Sequence, residues 1–206
     1  MKIKFYLILL FICLSCNKND GFISDTIGGQ NGFANGCPDA FYPNWETSPH
    51  LLPYPVGDSY TIGLSHCSGS AHSEGEPDQF AIDFIMEVGT LLTASRKGTI
   101  MFVEESGLDN EFPNNMIVLR DEDGFFLQYH HLTHNGAIVE QGQFVEEGDP
   151  IGYSGSSGTA RSPHLHFVAT GINWQYPYQS LPITFRNTSG NPKSLIQGET
   201  YEALPF

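Results

Sequence analysis

Short runs in which apolar or β-branched residues alternate with polar ones recur along the chain, over residues 79–85, 91–94, 99–104, 116–120, 125–131 and 164–170. A period of two is the mark of strands that bury one face. Turn-forming clusters separate these runs: Arg96-Lys97-Gly98, Asp121-Glu122-Asp123-Gly124, Glu146-Glu147-Gly148-Asp149-Pro150 and Ser154-Gly155-Ser156-Ser157-Gly158. Almost no helical period appears. The pattern predicts an all-β domain, a compact antiparallel β-sandwich or barrel-like arrangement with few or no helices.

The start of the chain is organised differently. Met1-Lys2-Ile3-Lys4 precedes an apolar run over 5–14 and then Ser15-Cys16. That order reads as a secretory leader, and the run is shorter than the roughly 20 residues a spanning helix needs. Ser15-Cys16 also resembles the lipobox of bacterial lipoproteins, with Cys13 standing where an aliphatic residue is usual. The expectation is a signal peptide over 1–15 and an exported protein of the cell envelope, held to a bacterial membrane by lipid on Cys16. Residues 16–36, rich in Gly and Asn, read as a flexible tether, and 37–206 as one domain.

Without Lys2 and Lys4 the balance is 7 basic against 23 acidic residues, 7 − 23 = −16. Nucleic acid is therefore excluded as a partner. The oligomeric state is not legible in the sequence, and a monomer is the expectation. Cys37 and Cys67 remain outside the leader, and in an exported chain a single disulfide between them is permitted.

The chemistry concentrates in a few strand positions. His164 and His166 alternate in His-Leu-His-Phe-Val-Ala, so both imidazoles leave the strand on one face. Such a pair either shares a metal or divides into one ligand and one proton-transfer group. Asp83 interrupts the apolar run Phe80-Ala81-Ile82-Asp83-Phe84, where an unpaired carboxylate would be costly, so it requires a metal or a cation. Alternation in 125–132 puts His131 on the apolar face with Phe125, Leu127 and Tyr129, and His130 on the other. This makes His131 the functional histidine and His130 the surface one.

Taken in order, Ala81-Ile82-Asp83-Phe84, Gly98-Thr99-Ile100, Tyr129-His130-His131-Leu132, Gly142-Gln143-Phe144-Val145, Gly148-Asp149-Pro150-Ile151-Gly152 and Ser162-Pro163-His164-Leu165-His166-Phe167 resemble the lysostaphin/LytM-type zinc endopeptidases. The resemblance covers residues 72–170. It implies a β-fold with a narrow groove, one Zn²⁺ bound by His, Asp and His, and hydrolysis of peptide bonds in peptidoglycan. Carried onto this chain, Asp83 and His166 are zinc ligands, and His131 and His164 are the catalytic pair. The family's usual first ligand, a histidine four residues before the aspartate, is here Gln79, whose amide is a poor zinc ligand.

Some members place that ligand in a longer loop, and Ala71-His72 is similar to their pattern, so His72 is the expected third ligand and His66 the fallback. If neither reaches, the resemblance implies a non-catalytic cell-wall or partner-binding relative. Two rival readings fail on residues. The segment 145–152 is also similar to the turn of biotinyl carriers but has no lysine near it, and a cupin-like site would need a Glu soon after His166, where Val168-Ala169-Thr170-Gly171 stands.

Overall fold

The computed structural model describes residues 36–206. The leader, Cys16 and nearly all of the tether lie outside the described residues. Among the described residues the only helical element is a 3-10 turn at Trp45–Thr47, opened by the Asn44 side chain accepting from the Glu46 N–H. No helix there is long and apolar enough to cross a membrane.

Among the described residues eleven strands carry the fold: β1 (Ser59–Ile62), β2 (Ile82–Ile85), β3 (Leu91–Thr93), β4 (Gly98–Glu104), β5 (Met116–Asp121), β6 (Phe126–His130), β7 (Leu132–Ala137), β8 (Phe144–Val145), β9 (Pro150–Ser154), β10 (His164–Thr170) and β11 (Thr200–Glu202). An eight-stranded sheet has the order β11-β1-β2-β10-β6-β5-β4-β8, and a three-stranded sheet the order β3-β9-β7. Every pairing is antiparallel. The result is two open sheets rather than a closed barrel.

Period two does in the molecule what it implied in the sequence. Ile82 and Phe84 of β2, Leu165 and Phe167 of β10, Leu127 and Tyr129 of β6, and Ile117 and Leu119 of β5 are fully buried in one core. Leu92, Leu132 and Ile151 of the small sheet complete it. Burying a side chain of this size is worth about 1.5–3 kcal/mol, so this face fixes the register of the central strands. The opposite face of β2, β10 and β6 is left to carry Asp83, His166 and His130.

Several boundaries differ from the pattern. The run 79–85 yields a strand only from Ile82, because Ala81 N–H donates to the Asp78 carbonyl in a turn. The run 125–131 stops at His130, for a reason given below. Strands β1, β7 and β9 have few of the expected signals: β7 exposes His134 and Asn135, and β9 starts on Pro150 between two turn clusters. The C-terminal segment closes the sheet edge through β11 on β1, whereas 181–187 runs without strand structure. Cys37 and Cys67 form a disulfide with Cα atoms 5.1 Å apart.

Candidate functional site

The site is assembled on the groove face of the large sheet. In the register His166 lies opposite Asp83 on β2 and opposite His130 on β6, and His164 opposite Ile85. Asp83 Oδ1 lies 2.9 Å from His166 Nδ1 and 3.8 Å from His164 Nε2. These two strands supply half of the constellation by pairing alone.

His72 comes from outside the sheet. The chain leaves β1, pairs residues 63 and 64 with Asp83, and makes a tight excursion before re-entering as β2. The excursion turns through Cys67 and Ser70, both at positive φ, and through Gly69 and Gly75. His72 is 1% exposed, and its Nε2 lies 3.4 Å from both Asp83 Oδ1 and His166 Nδ1. One donor atom each from His72, Asp83 and His166 thus falls within 4.8 Å of the others.

Gln79 has a different duty. Its Oε1 accepts from the Gly75 N–H at 2.7 Å and its carbonyl accepts from the Cys67 N–H at 2.8 Å, closing the loop that presents His72. The disulfide ties that loop at Cys67. His66 lies away from the cluster. It is buried, stacked on Tyr42, edge-on to Phe80, and within hydrogen-bond range of the Tyr42 hydroxyl and Ser194 Oγ.

His131 reaches the groove by a route that alternation does not contain. On a continuous strand it would follow Tyr129 into the core. Instead its φ is +64°, a left-handed conformation that breaks the ladder between β6 and β7 and turns the imidazole outward. Such a conformation costs a non-glycine residue about 1–3 kcal/mol and persists where the surroundings enforce it. Here Asn114 Oδ1 accepts from the His131 N–H at 3.0 Å. His131 Nδ1 faces the Ser157 carbonyl at 2.8 Å and His164 Nδ1 the Ser162 carbonyl at 2.8 Å, so each Nδ1–H donates and each Nε2 is left for the groove. The two rings lie 4.7 Å apart.

The expectation of a surface His130 is corrected. His130 is 9% exposed, on the groove side with His166. Asn114 Nδ2 donates to its Nδ1, and its Nε2–H donates to Gln128 Oε1, so both nitrogens are occupied. Asn114, Gln128, Asp78 and Tyr178 are site residues that sequence reasoning missed. Only Gln128, an amide within a buried strand, left a signal of its own.

Electrostatics follow from this crowding. Burial alone would raise the Asp83 carboxyl, but hydrogen bonds and charge from His166 and His72 outweigh it and hold it well below the usual carboxylate range. Burial opposes a proton on His166, yet Asp78 and Asp83 raise its pKa to about 10. Burial, with His166 and His164 alongside, lowers His131 to about 4. The surrounding groove measures about 900 Å³, and Phe102, Trp174 and Tyr176 line it together with Arg161.

Two imidazoles and a carboxylate converging on one point are the donor set of a tetrahedral site with one open position. Residues 78–176 match the sequence model of Peptidase family M23. The chain therefore carries an M23 peptidase domain, homologous to lysostaphin and to LytM-type glycyl-glycine endopeptidases.

It is 32% identical to lysostaphin of Staphylococcus simulans over 143 residues, which is 69% of this chain and 25% of that protein. It is 32% identical over 139 residues to glycyl-glycine endopeptidase ALE-1 of Staphylococcus capitis, 67% of this chain and 33% of that one. It is 31% identical over 116 residues to peptidoglycan DD-endopeptidase ShyA of Vibrio cholerae, 55% of this chain and 26% of that one. The chain thus spans a quarter to a third of the length of these curated relatives. Against the crystallised catalytic domain of lysostaphin from Staphylococcus simulans the identity is 29% and the TM-score 0.43, covering 62% of this chain and 88% of that one.

Proposed function

We propose that the protein is a zinc metalloendopeptidase that hydrolyses peptide cross-links or stem peptides of bacterial peptidoglycan, with His72, Asp83 and His166 holding one Zn²⁺ and His131 and His164 moving protons. The observation that carries this reading is the convergence of the three donor atoms within 4.8 Å, with two further imidazoles beside them. The names of the M23 relatives, glycyl-glycine endopeptidase and peptidoglycan DD-endopeptidase, support the substrate class.

The residues fit the ion. His166 keeps a proton because two carboxylates face it, and a divalent cation would take that proton's place, so binding releases protons. Zinc in this position supplies Lewis acidity, polarising the scissile carbonyl and bringing the ionisation of water to near neutral pH. His131 and His164 supply the proton traffic. Each has its Nδ1–H committed to a backbone carbonyl, so each turns its Nε2 lone pair to the groove, where one of the pair takes the proton of the attacking water and passes it on to the leaving amine. A protonated imidazole in the same place stabilises developing negative charge on the carbonyl oxygen. The open groove admits an extended peptide.

The leader pattern over 1–16 supports an exported, lipid-anchored protein of the cell envelope. Moving the protein from membrane to soluble fraction by Cys16→Ser tests the anchor.

Zinc content and release of peptides from purified peptidoglycan test the activity. Wild type should carry one zinc per chain and cut. His72→Ala should lose the metal, His66→Ala should keep it, and His131→Asn should keep it while losing about 10²–10⁴-fold in kcat. Zinc retained in His72→Ala but lost in His66→Ala would overturn the ligand set, and a wild type without zinc would overturn the enzyme.

A further inference from the structure

Behind His166, on the side away from His72, stands a carboxylate that the proposed ligand set does not use. Asp78 Oδ1 lies 3.5 Å from His166 Nε2, while His166 Nδ1 faces Asp83 and His72. The Tyr178 hydroxyl donates to the same Asp78 oxygen at 2.6 Å. Asp78 is further fixed by the turn in which its carbonyl accepts from the Ala81 N–H, one residue before β2 begins at Ile82. Tyr178 comes from the segment after β10, which carries His166 itself.

We propose that Asp78 and Tyr178 form a positioning pair for His166. Asp78 orients the ring and makes Nδ1 the ligating nitrogen, and Tyr178 holds Asp78 in place. The inference rests on the zinc reading above. An imidazole that binds a metal through one nitrogen is fixed in tautomer and orientation by an acceptor at the other, and its donor strength rises when that acceptor is a carboxylate. His72 shows the contrast, since its Nδ1 is buried without a hydrogen-bond partner in the structure. Of the two imidazoles in the cluster, His166 is the one backed by a carboxylate.

The pair also links the ligand to the groove. Tyr178 lines it together with Trp174 and Tyr176, so the segment that borders bound peptide also steadies the metal ligand.

The experiment uses the full chain. Zinc Kd is measured by competition with a chromophoric chelator, and Co²⁺ is substituted so that its d–d spectrum reports the ligand field at full occupancy. Asp78→Ala is expected to weaken zinc about 10–100-fold. Asp78→Asn, which keeps an acceptor, should recover part of that loss, and Tyr178→Phe should weaken zinc less than Asp78→Ala does. The cobalt spectra of Asp78→Asn and Tyr178→Phe should shift from wild type. Asp78→Ala within twofold of wild type, in a preparation where His166→Ala abolishes binding, overturns the inference and leaves the zinc reading intact. Loss in Asp78→Ala as complete as in His166→Ala also overturns it, by making Asp78 a ligand. If Asp78→Ala does not fold, Asp78→Asn and Tyr178→Phe decide, and unchanged affinity and spectra in both overturn it. A wild type that binds no zinc instead overturns the zinc reading itself, and this inference with it.

Discussion

Half of the site stands on the sheet and half on irregular backbone, and the two halves are secured by different means. Asp83 and His166 face each other across paired strands, and the residues beside them, Ile82, Phe84, Leu165 and Phe167, are buried without measurable exposure. To move either donor would disturb ladder and core together. His72 is placed by contacts local to its loop: the Gln79 side chain on Gly75, the Gln79 carbonyl under Cys67, and the disulfide to Cys37. The difference explains how a chain can lack histidine at position 79. On the proposed ligand set a loop delivers the third donor, and the residue four before Asp83 serves instead as the strut of that loop.

Three measurements can break or sharpen this contrast. The largest effect belongs to Asp83→Ala, which removes the oxygen facing three imidazoles. Zinc affinity should fall by more than the ~100-fold upper range for groups behind the ligands, and peptidoglycan hydrolysis should disappear. Near-normal zinc in this variant would break the assignment of the sheet half.

Next comes the double change Cys37→Ser with Cys67→Ser. Loss of a native disulfide costs about 2–5 kcal/mol, so thermal unfolding should come earlier, and zinc should weaken because the His72 loop is no longer tied at its base. If stability falls but zinc affinity does not, the loop is set by its hydrogen bonds alone. The smallest effect is expected for Gln79→Ala. It removes one side-chain hydrogen bond worth about 0.5–1.5 kcal/mol, so a zinc loss of up to about tenfold is expected, read by chelator competition. A Gln79→Ala loss as large as that of Asp83→Ala would mean that Gln79 is itself a ligand.

The same contrast governs what could be read from sequence. Strand alternation revealed Asp83, His164 and His166 because their positions depend only on period and pairing. It put His131 on the apolar face and His130 at the surface, whereas both rings line the groove: His131 because a left-handed residue interrupts the strand, and His130 because it follows the alternation. The partners that hold these rings, Asn114, Gln128, Ser157 and Asp78, come from several separate elements. Their roles exist only after the sheet has brought those elements together. Strands such as Leu132–Ala137 escaped notice for a related reason, since pairing rather than an apolar face sustains them.

The continuous core beneath Asp83 and His166 bears on the order of events in the life of the molecule. Many small metal-dependent domains acquire their structure only when the ion arrives, because little else holds them. Here the apolar layer from Ile82 to Phe167 is complete without any contribution from the site above it. If the site takes the proposed zinc, folding and charging with metal should therefore be separable events. A chelator should then strip the proposed zinc and leave the folded body in place, ready to be recharged.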